Sequence, residues 1–228
     1  RNSKMVDPLI LNFQTFRDRF FGTASREFGD LVSHGQKPKT MVIGCADSRT
    51  DPAILFDTRP GDLFMVRNVA NLVPPYAPDD GQHGVSAALE YGVRDLKVEN
   101  IIVLGHGLCG GVQALCNHHR KLAENGGKAD APSREFIGRW IEIATPAMAE
   151  IDFAHWQDSF QHDAERASIK NSIANLRGFP WIAEAVDAGK LHLHGWWFDM
   201  ENGALWGLDE ASGDFIKLAP NPSASKPS

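Results

Sequence analysis

The sequence predicts an α/β fold, with a mainly parallel central sheet flanked by helices and an amino-terminal helical arm that packs on a partner subunit. Two observations carry the sheet. From residue 40 onward, short apolar runs alternate with stretches of helical period, which is how βαβ units read in a sequence. Three of those runs, Met41-Val42-Ile43, Leu63-Phe64-Met65-Val66 and Ile101-Ile102-Val103-Leu104, end in Gly44-Cys45, Arg67-Asn68 and Gly105-His106, so polar chemistry sits where buried strands finish. A third observation carries the arm. Residues 9–31 hold Phe13, Phe16, Phe20, Phe21 and Phe28 at three- and four-residue spacing, more aromatic surface than one small helix face needs.

The elements follow in order. The arm, residues 1–35, reads as one or two amphipathic helices broken at Gly22. The α/β domain, residues 36–218, starts with the first two strands. Val85, Ala88, Leu89, Val93 and Leu96 then form one helical stripe that stops before Asn100, as a crossover to a parallel third strand requires. A helix is expected from Gly110, with His118 and His119 closing it. Residues 124–133, with Gly126, Gly127 and Pro132, read as an exposed connection, and helical patterns follow at residues 135–148 and 163–177. Leu191-His192-Leu193-His194 alternates as a strand does, with Trp206 in a partner strand, and the Pro- and Ser-rich residues 219–228 read as a flexible tail.

Composition narrows the function. With 43% hydrophobic and 23% charged residues among 228, the chain is an ordinary globular protein, not a disordered or collagenous one. Its 23 basic against 29 acidic residues give a net charge of −6, which argues against nucleic acid and anionic membranes as partners. No apolar run is long enough to span a bilayer, and the first residues lack the apolar region of a signal peptide, so a cytoplasmic location is expected. Three cysteines are too few, and an odd number, for a disulfide framework. They suit a reducing compartment in which thiols bind metal or do chemistry.

In a parallel sheet, ligands gather outside the carboxyl ends of the strands. Cys45 ends the first strand, and His106-Gly107-Leu108-Cys109 follows the third, so two thiols and an imidazole are expected to converge there. Two thiolates and one imidazole suit zinc, one ion per chain, and three protein ligands with an open fourth position are the arrangement of a catalytic zinc. Such a site has formal charge near zero and acidifies water less than a three-histidine site would. Asp47, anchored by Arg49 two residues on, is therefore expected either to become the fourth ligand or to orient the water that is. The Gly110 and Gly111 amides open a helix and are placed to face an anion. Cys116 reads as a buried free thiol, His192 and His194 as a two-histidine strand face lacking a third ligand, and His83 as a surface or capping residue.

These residues resemble the β-class carbonic anhydrases. The resemblance runs from about Gln36 to Val112 and rests on Cys45-Ala46-Asp47-Ser48-Arg49, Arg67-Asn68-Val69-Ala70-Asn71-Leu72-Val73 and Gly105-His106-Gly107-Leu108-Cys109-Gly110-Gly111, with Ala46 where the family commonly has Ser. It implies reversible hydration of carbon dioxide to bicarbonate and a proton by zinc-bound hydroxide, the zinc held by Cys45, His106 and Cys109, with Asp47 and Arg49 as the catalytic dyad. It implies a substrate pocket of Gln36, Phe64, Val69 and Tyr91, partly completed across a dimer interface, with the Gly110 amide as a further donor. The resemblance also implies a homodimer or dimer of dimers. One branch of the family has an inhibitory bicarbonate site, and here its positions read Val42, Arg67 and Phe198. Two of its three residues are replaced, so the other branch, with an open zinc, is expected.

Overall fold

The structure, a computed structural model, describes residues 7–21, 27–128 and 134–219. Helices α1 (Asp7–Phe21) and α2 (Glu27–His34) pack through their rings, with Phe16 5.0 Å from Phe20 and 5.7 Å from Phe28. Leu9, Ile10, Leu11 and Phe13 of α1 are all more than half exposed. The expected break at Gly22 lies outside the described residues, as does the expected tail except for Ala219.

Strand β1 (Thr40–Cys45) leads through a one-turn helix α3 (Pro52–Leu55), capped by Asp51, to β2 (Leu63–Asn68). Helix α4 (Gly84–Glu90) runs on into one π-helical turn, Tyr91–Asp95, before β3 (Asn100–His106). Then come α5 (Gly110–Glu124), α6 (Ile137–Ile141), 3-10 segments Glu142–Met148 and Phe153–His155, α7 (Phe160–Arg177), α8 (Pro180–Asp187), β4 (His192–Asp199), β5 (Ala204–Leu208) and β6 (Phe215–Ala219). The six strands form one sheet in the order β2-β1-β3-β4-β5-β6, in which β1 to β4 are parallel and β5 and β6 antiparallel.

Alternation along the strands loads both faces. Met41, Ile43, Ile101, Val103, Leu193 and Trp197 belong to one buried cluster with Ile169, Ile173 and Leu176 of α7 and Ile182 of α8. Val42, Ile102 and Leu104 form a smaller cluster with Phe56 and Trp196. Helix α7 lies close against β3, because a Cβ at Gly105 would stand 2.6 Å from Ile169 Cδ1.

Register sets the site. Cys45 lies opposite Asn68, and Gly44 lies opposite Leu104, so β1 and β3 end almost level with Cys45 and His106 at their tips. Three expectations need correction. His118 and His119 do not close α5, which runs on to Glu124. Residues 135–148 are not one α-helix. Pro146, which has no N–H, falls in the second half of that stretch, and the chain tightens into a 3-10 segment after Ile141. Helix α7 starts at Phe160, three residues before the expected Asp163.

Candidate metal centre

Cys45 at the tip of β1, His106 at the tip of β3 and Cys109 just before α5 present ligand atoms that all lie within 4.8 Å of one another. Among the described residues this is the one such group of three or more His, Cys, Asp or Glu side chains. All three are buried, and the two sulfurs stand 4.0 Å apart. His106 Nδ1 lies 2.8 Å from the Gly107 carbonyl, which only accepts, so Nδ1 carries the proton. That leaves Nε2 as a lone-pair donor, and it is buried with no hydrogen-bond partner. A buried imidazole nitrogen beside two thiols fits a soft divalent metal.

The electrostatics agree. The hydrogen bond between the two sulfurs holds the Cys45 thiol down against the opposing effect of burial, while the same bond and burial push Cys109 up. A soft cation bound between the sulfurs would replace the thiol protons and gain two thiolates. Burial opposes a charge on His106, yet the neighbouring Cys45 and the Gly107 carbonyl raise its pKa.

Asp47 is turned toward Arg49. Its Oδ1 accepts from the Arg49 backbone N–H and Nε, both at 2.9 Å, and its Oδ2 accepts from Nη2 at 2.7 Å. This fork holds the Asp47 carboxyl well below the usual carboxylate range. Arg49 Nη2 also donates to the Leu108 carbonyl at 3.3 Å, tying the β1 loop to the loop that carries His106 and Cys109. Leu108 itself sits at φ 56°, in the left-handed region that costs a non-glycine residue roughly 1 kcal/mol or more.

Glu165 of α7 supports the centre from behind and was not singled out by the sequence motifs. It is almost fully buried, and its Oε1 accepts from the Cys109 N–H at 2.9 Å and from Gln161 at 3.1 Å. Its Oε2 accepts from Trp197 Nε1 at 3.2 Å, and burial raises its pKa. The available signal was a carboxylate on the buried stripe of α7, which otherwise holds Ala164, Ile169, Ile173 and Leu176 with the small Ser168 and Ser172.

The expected pocket residues fall at two places. Val69, 38% exposed, sits against the start of α5, where a Cβ on Gly111 would stand 2.8 Å from Val69 Cγ1. Gly110 is the first residue of α5, and no side chain caps that end. Phe64 and Tyr91 lie ring to ring with centroids 5.8 Å apart and planes tilted by 49°, but at the other end of the sheet. Phe64 lies opposite Met41, four residues or about 13 Å along the strand from the level of Cys45. Tyr91 is 47% exposed, and Gln36 is exposed in the link between α2 and β1. A single chain therefore does not bring Gln36, Phe64 and Tyr91 to its own cysteines.

The remaining candidates resolve simply. Cys116 is buried, and burial pushes its thiol up to about 12. His194 Nε2 pairs with Asn100 Oδ1 at 3.0 Å, His192 is exposed, and His83 pairs with Asp79 at 2.7 Å on the surface.

Residues 40–205 match the family model described as carbonic anhydrase. The chain is 39% identical over 212 residues to beta carbonic anhydrase 5, chloroplastic, of Arabidopsis thaliana, covering 88% of this chain and 66% of that one. It is 36% identical over 216 residues to the carbonic anhydrase of Pseudomonas aeruginosa, covering 94% and 92%. The solved structure of the beta-carbonic anhydrase CcaA superposes with a TM-score of 0.82 at 29% identity, covering 95% of this chain and 93% of that one. A Coccomyxa beta-carbonic anhydrase in complex with acetazolamide gives 0.73 at 27% identity, covering 89% and 86%.

Proposed function

The chain belongs to the β-class carbonic anhydrases, enzymes of carbon dioxide hydration, and from that premise we propose that it works with one zinc ion per chain held by Cys45, His106 and Cys109. The observation that carries the metal assignment is the buried His106 Nε2 beside two buried thiols, the three ligand atoms all within 4.8 Å of one another. Zinc so held supplies acidity to a water, making it nucleophilic toward carbon dioxide near neutral pH.

The chain's own residues do the rest. Asp47, its carboxylate fixed by Arg49, accepts a hydrogen bond from the nucleophile and so points the nucleophile's lone pair at the carbon. Arg49 keeps Asp47 ionised and turned toward its own guanidinium, so that a bound zinc would take water rather than Asp47 beside the three ligands, as in the open-site branch. Val69 offers an apolar wall for a linear, nonpolar substrate, and the Gly110 N–H at the start of α5 donates to the oxygen that gains negative charge. Bicarbonate leaves as a new water enters, and the proton passes to buffer.

Gln36, Phe64 and Tyr91 complete the pocket from the partner in a homodimer or a dimer of dimers. The exposed apolar face of α1 is the surface that a second copy covers. Three buried free thiols suit the reducing cytoplasm. Among the described residues no helix is long and apolar enough to cross a membrane.

Stopped-flow carbon dioxide hydration across pH, with zinc measured in the same sample, tests this reading. Zinc near one per chain with activity rising toward alkaline pH is expected. Full zinc with no hydration at any pH would overturn it.

A further inference from the structure

We propose that Arg67, at the end of β2, is a positioning residue for the reaction: it clamps the Cys45-to-Asp51 loop so that Asp47 stays turned toward Arg49. The proposal rests on the reading of Asp47 given above and names a residue outside both the metal ligands and the dyad.

Arg67 lies opposite Gly44 in the β1 register, directly beside the start of that loop. Each of its three side-chain nitrogens serves a different residue. Nε donates to the Cys45 carbonyl at 2.9 Å, Nη2 to the Asp47 carbonyl at 2.7 Å, and Nη1 to Asp51 Oδ2 at 2.8 Å. Asp51 is fixed in turn, since its Oδ1 accepts from the Ala53 N–H at 2.9 Å and caps α3. The Asp47 carbonyl also receives the Thr50 N–H and Oγ1, each at 3.2 Å, and the Ala46 N–H is held by the Asn68 carbonyl at 2.8 Å.

The consequence is geometric. Carbonyls on both sides of Ala46 are anchored to one rigid planar group, so the peptide planes that aim the Cys45 sulfur and the Asp47 carboxylate cannot rotate independently. Asp47 and Arg49 would otherwise be a loop ion pair with Arg49 more than half exposed, and such a pair is weakly held by itself. The Arg67 side chain is 27% exposed, so solvent competes less for its bonds than for those of Arg49. Lysine cannot replace it, because a single ammonium nitrogen cannot stand at three separated donor positions at once.

The test compares wild type with Arg67→Lys, Arg67→Gln and Asp51→Asn, all purified with zinc. Zinc content, melting temperature, the rate of zinc transfer to a chromophoric chelator, and kcat and KM for carbon dioxide hydration are measured for each. Both Arg67 variants are expected to be isolated with zinc, to release it about ten-fold faster, and to lose about 10- to 100-fold in kcat with KM within about two-fold. Asp51→Asn should move the same way by a smaller factor, about three-fold in kcat, because the two carbonyl bonds remain. If Arg67→Gln does not fold, Arg67→Lys and Asp51→Asn carry the comparison. A lowered melting temperature with unchanged kcat per zinc-loaded chain and unchanged zinc release would make Arg67 merely structural and overturn the proposal, as would full rescue by lysine. Wild type that fails to hydrate carbon dioxide would strike the proposed function alone, with the release rates still deciding whether Arg67 holds the loop.

Discussion

The two ends of the parallel sheet are finished differently. At the carboxyl ends of β1 and β3, one chain supplies three buried ligand side chains, two loops laced together through Arg49 and Leu108, and a buried carboxylate behind Cys109. At the amino ends, the Phe64 and Tyr91 rings lie tilted against each other and Gln36 is exposed, while the arm helix α1 presents a row of exposed apolar side chains. The metal centre is a product of strand register within the chain. The substrate pocket, in our reading, is a product of assembly. The first should therefore respond to substitutions one chain at a time, and the second to how copies are combined.

The largest effect belongs to the finished end. Cys109→Ser should be isolated without stoichiometric zinc and lose hydration by about 10³-fold or more, since the reaction's source of acidity goes with the metal. Wild type should melt at a lower temperature after treatment with a strong chelator, because a ligand present at 1,000 times its dissociation constant adds about 4 kcal/mol to stability. The Cys109→Ser melting temperature should be indifferent to the chelator. Asp47→Ala comes next, keeping zinc but losing about 10²- to 10³-fold in kcat. Equal zinc content and equal rate loss in both variants would erase the distinction between ligand and orienting group.

The unfinished end is tested by combination. Tyr91→Ala should keep zinc and lose about ten-fold in kcat/KM, the scale of one lost apolar contact in a pocket. If the pocket spans two copies, unfolding and refolding Tyr91→Ala together with Asp47→Ala gives mixed dimers in which one site has both an intact Asp47 and the partner's intact Tyr91. Activity above the mean of the two separate variants is expected. No gain, with mixed dimers shown to form, would place Tyr91 in the same chain's site or outside any site.

The contrast also explains what was legible in the sequence. Cys45, His106 and Cys109 could be read because the first two end apolar strands and the third follows within three residues, and parallel pairing of two such strands brings their ends together whatever lies between them. Asp47 and Arg49 were legible from their spacing to Cys45. Gln36, Phe64 and Tyr91 were named by resemblance alone, because no periodicity or strand end marks them. Glu165 and Arg67 escaped as supports for a different reason. Each has backbone partners, the Cys109 N–H for Glu165 and the Cys45 and Asp47 carbonyls for Arg67, and backbone partners leave no side-chain signature. Among the strands, β6 was missed because Phe215-Ile216-Lys217-Leu218 is an edge strand of five residues with Ile216 and Leu218 about half exposed, too short and too mixed to stand out from a tail.

The smallest effect lies between the two ends, in the middle of α5. His119 was expected at a helix terminus, where a dipole would favour its charge, but it stands within the helix with Nε2 buried and unpartnered and its ring stacked on Phe153 at 5.1 Å and 24°. Burial, and secondarily the neighbouring His118, lowers its pKa. A histidine whose folded pKa lies below the unfolded value of about 6.5 binds fewer protons in the fold than out of it. Its contribution to stability is therefore complete above pH 6.5 or so and is lost as the pH falls through the folded pKa. His119→Phe keeps the stacked ring and removes the proton. Between pH 7.5 and 5.5 the wild-type melting temperature should fall by a few degrees more than that of His119→Phe. Zinc content and neutral-pH activity should be unchanged, since neither end of the sheet uses this ring. Parallel melting curves across that range would mean that the packing of Phe153–His155 on α5 tolerates the charge. A loss of zinc in the variant would mean that the middle of α5 is coupled to its metal-bearing start.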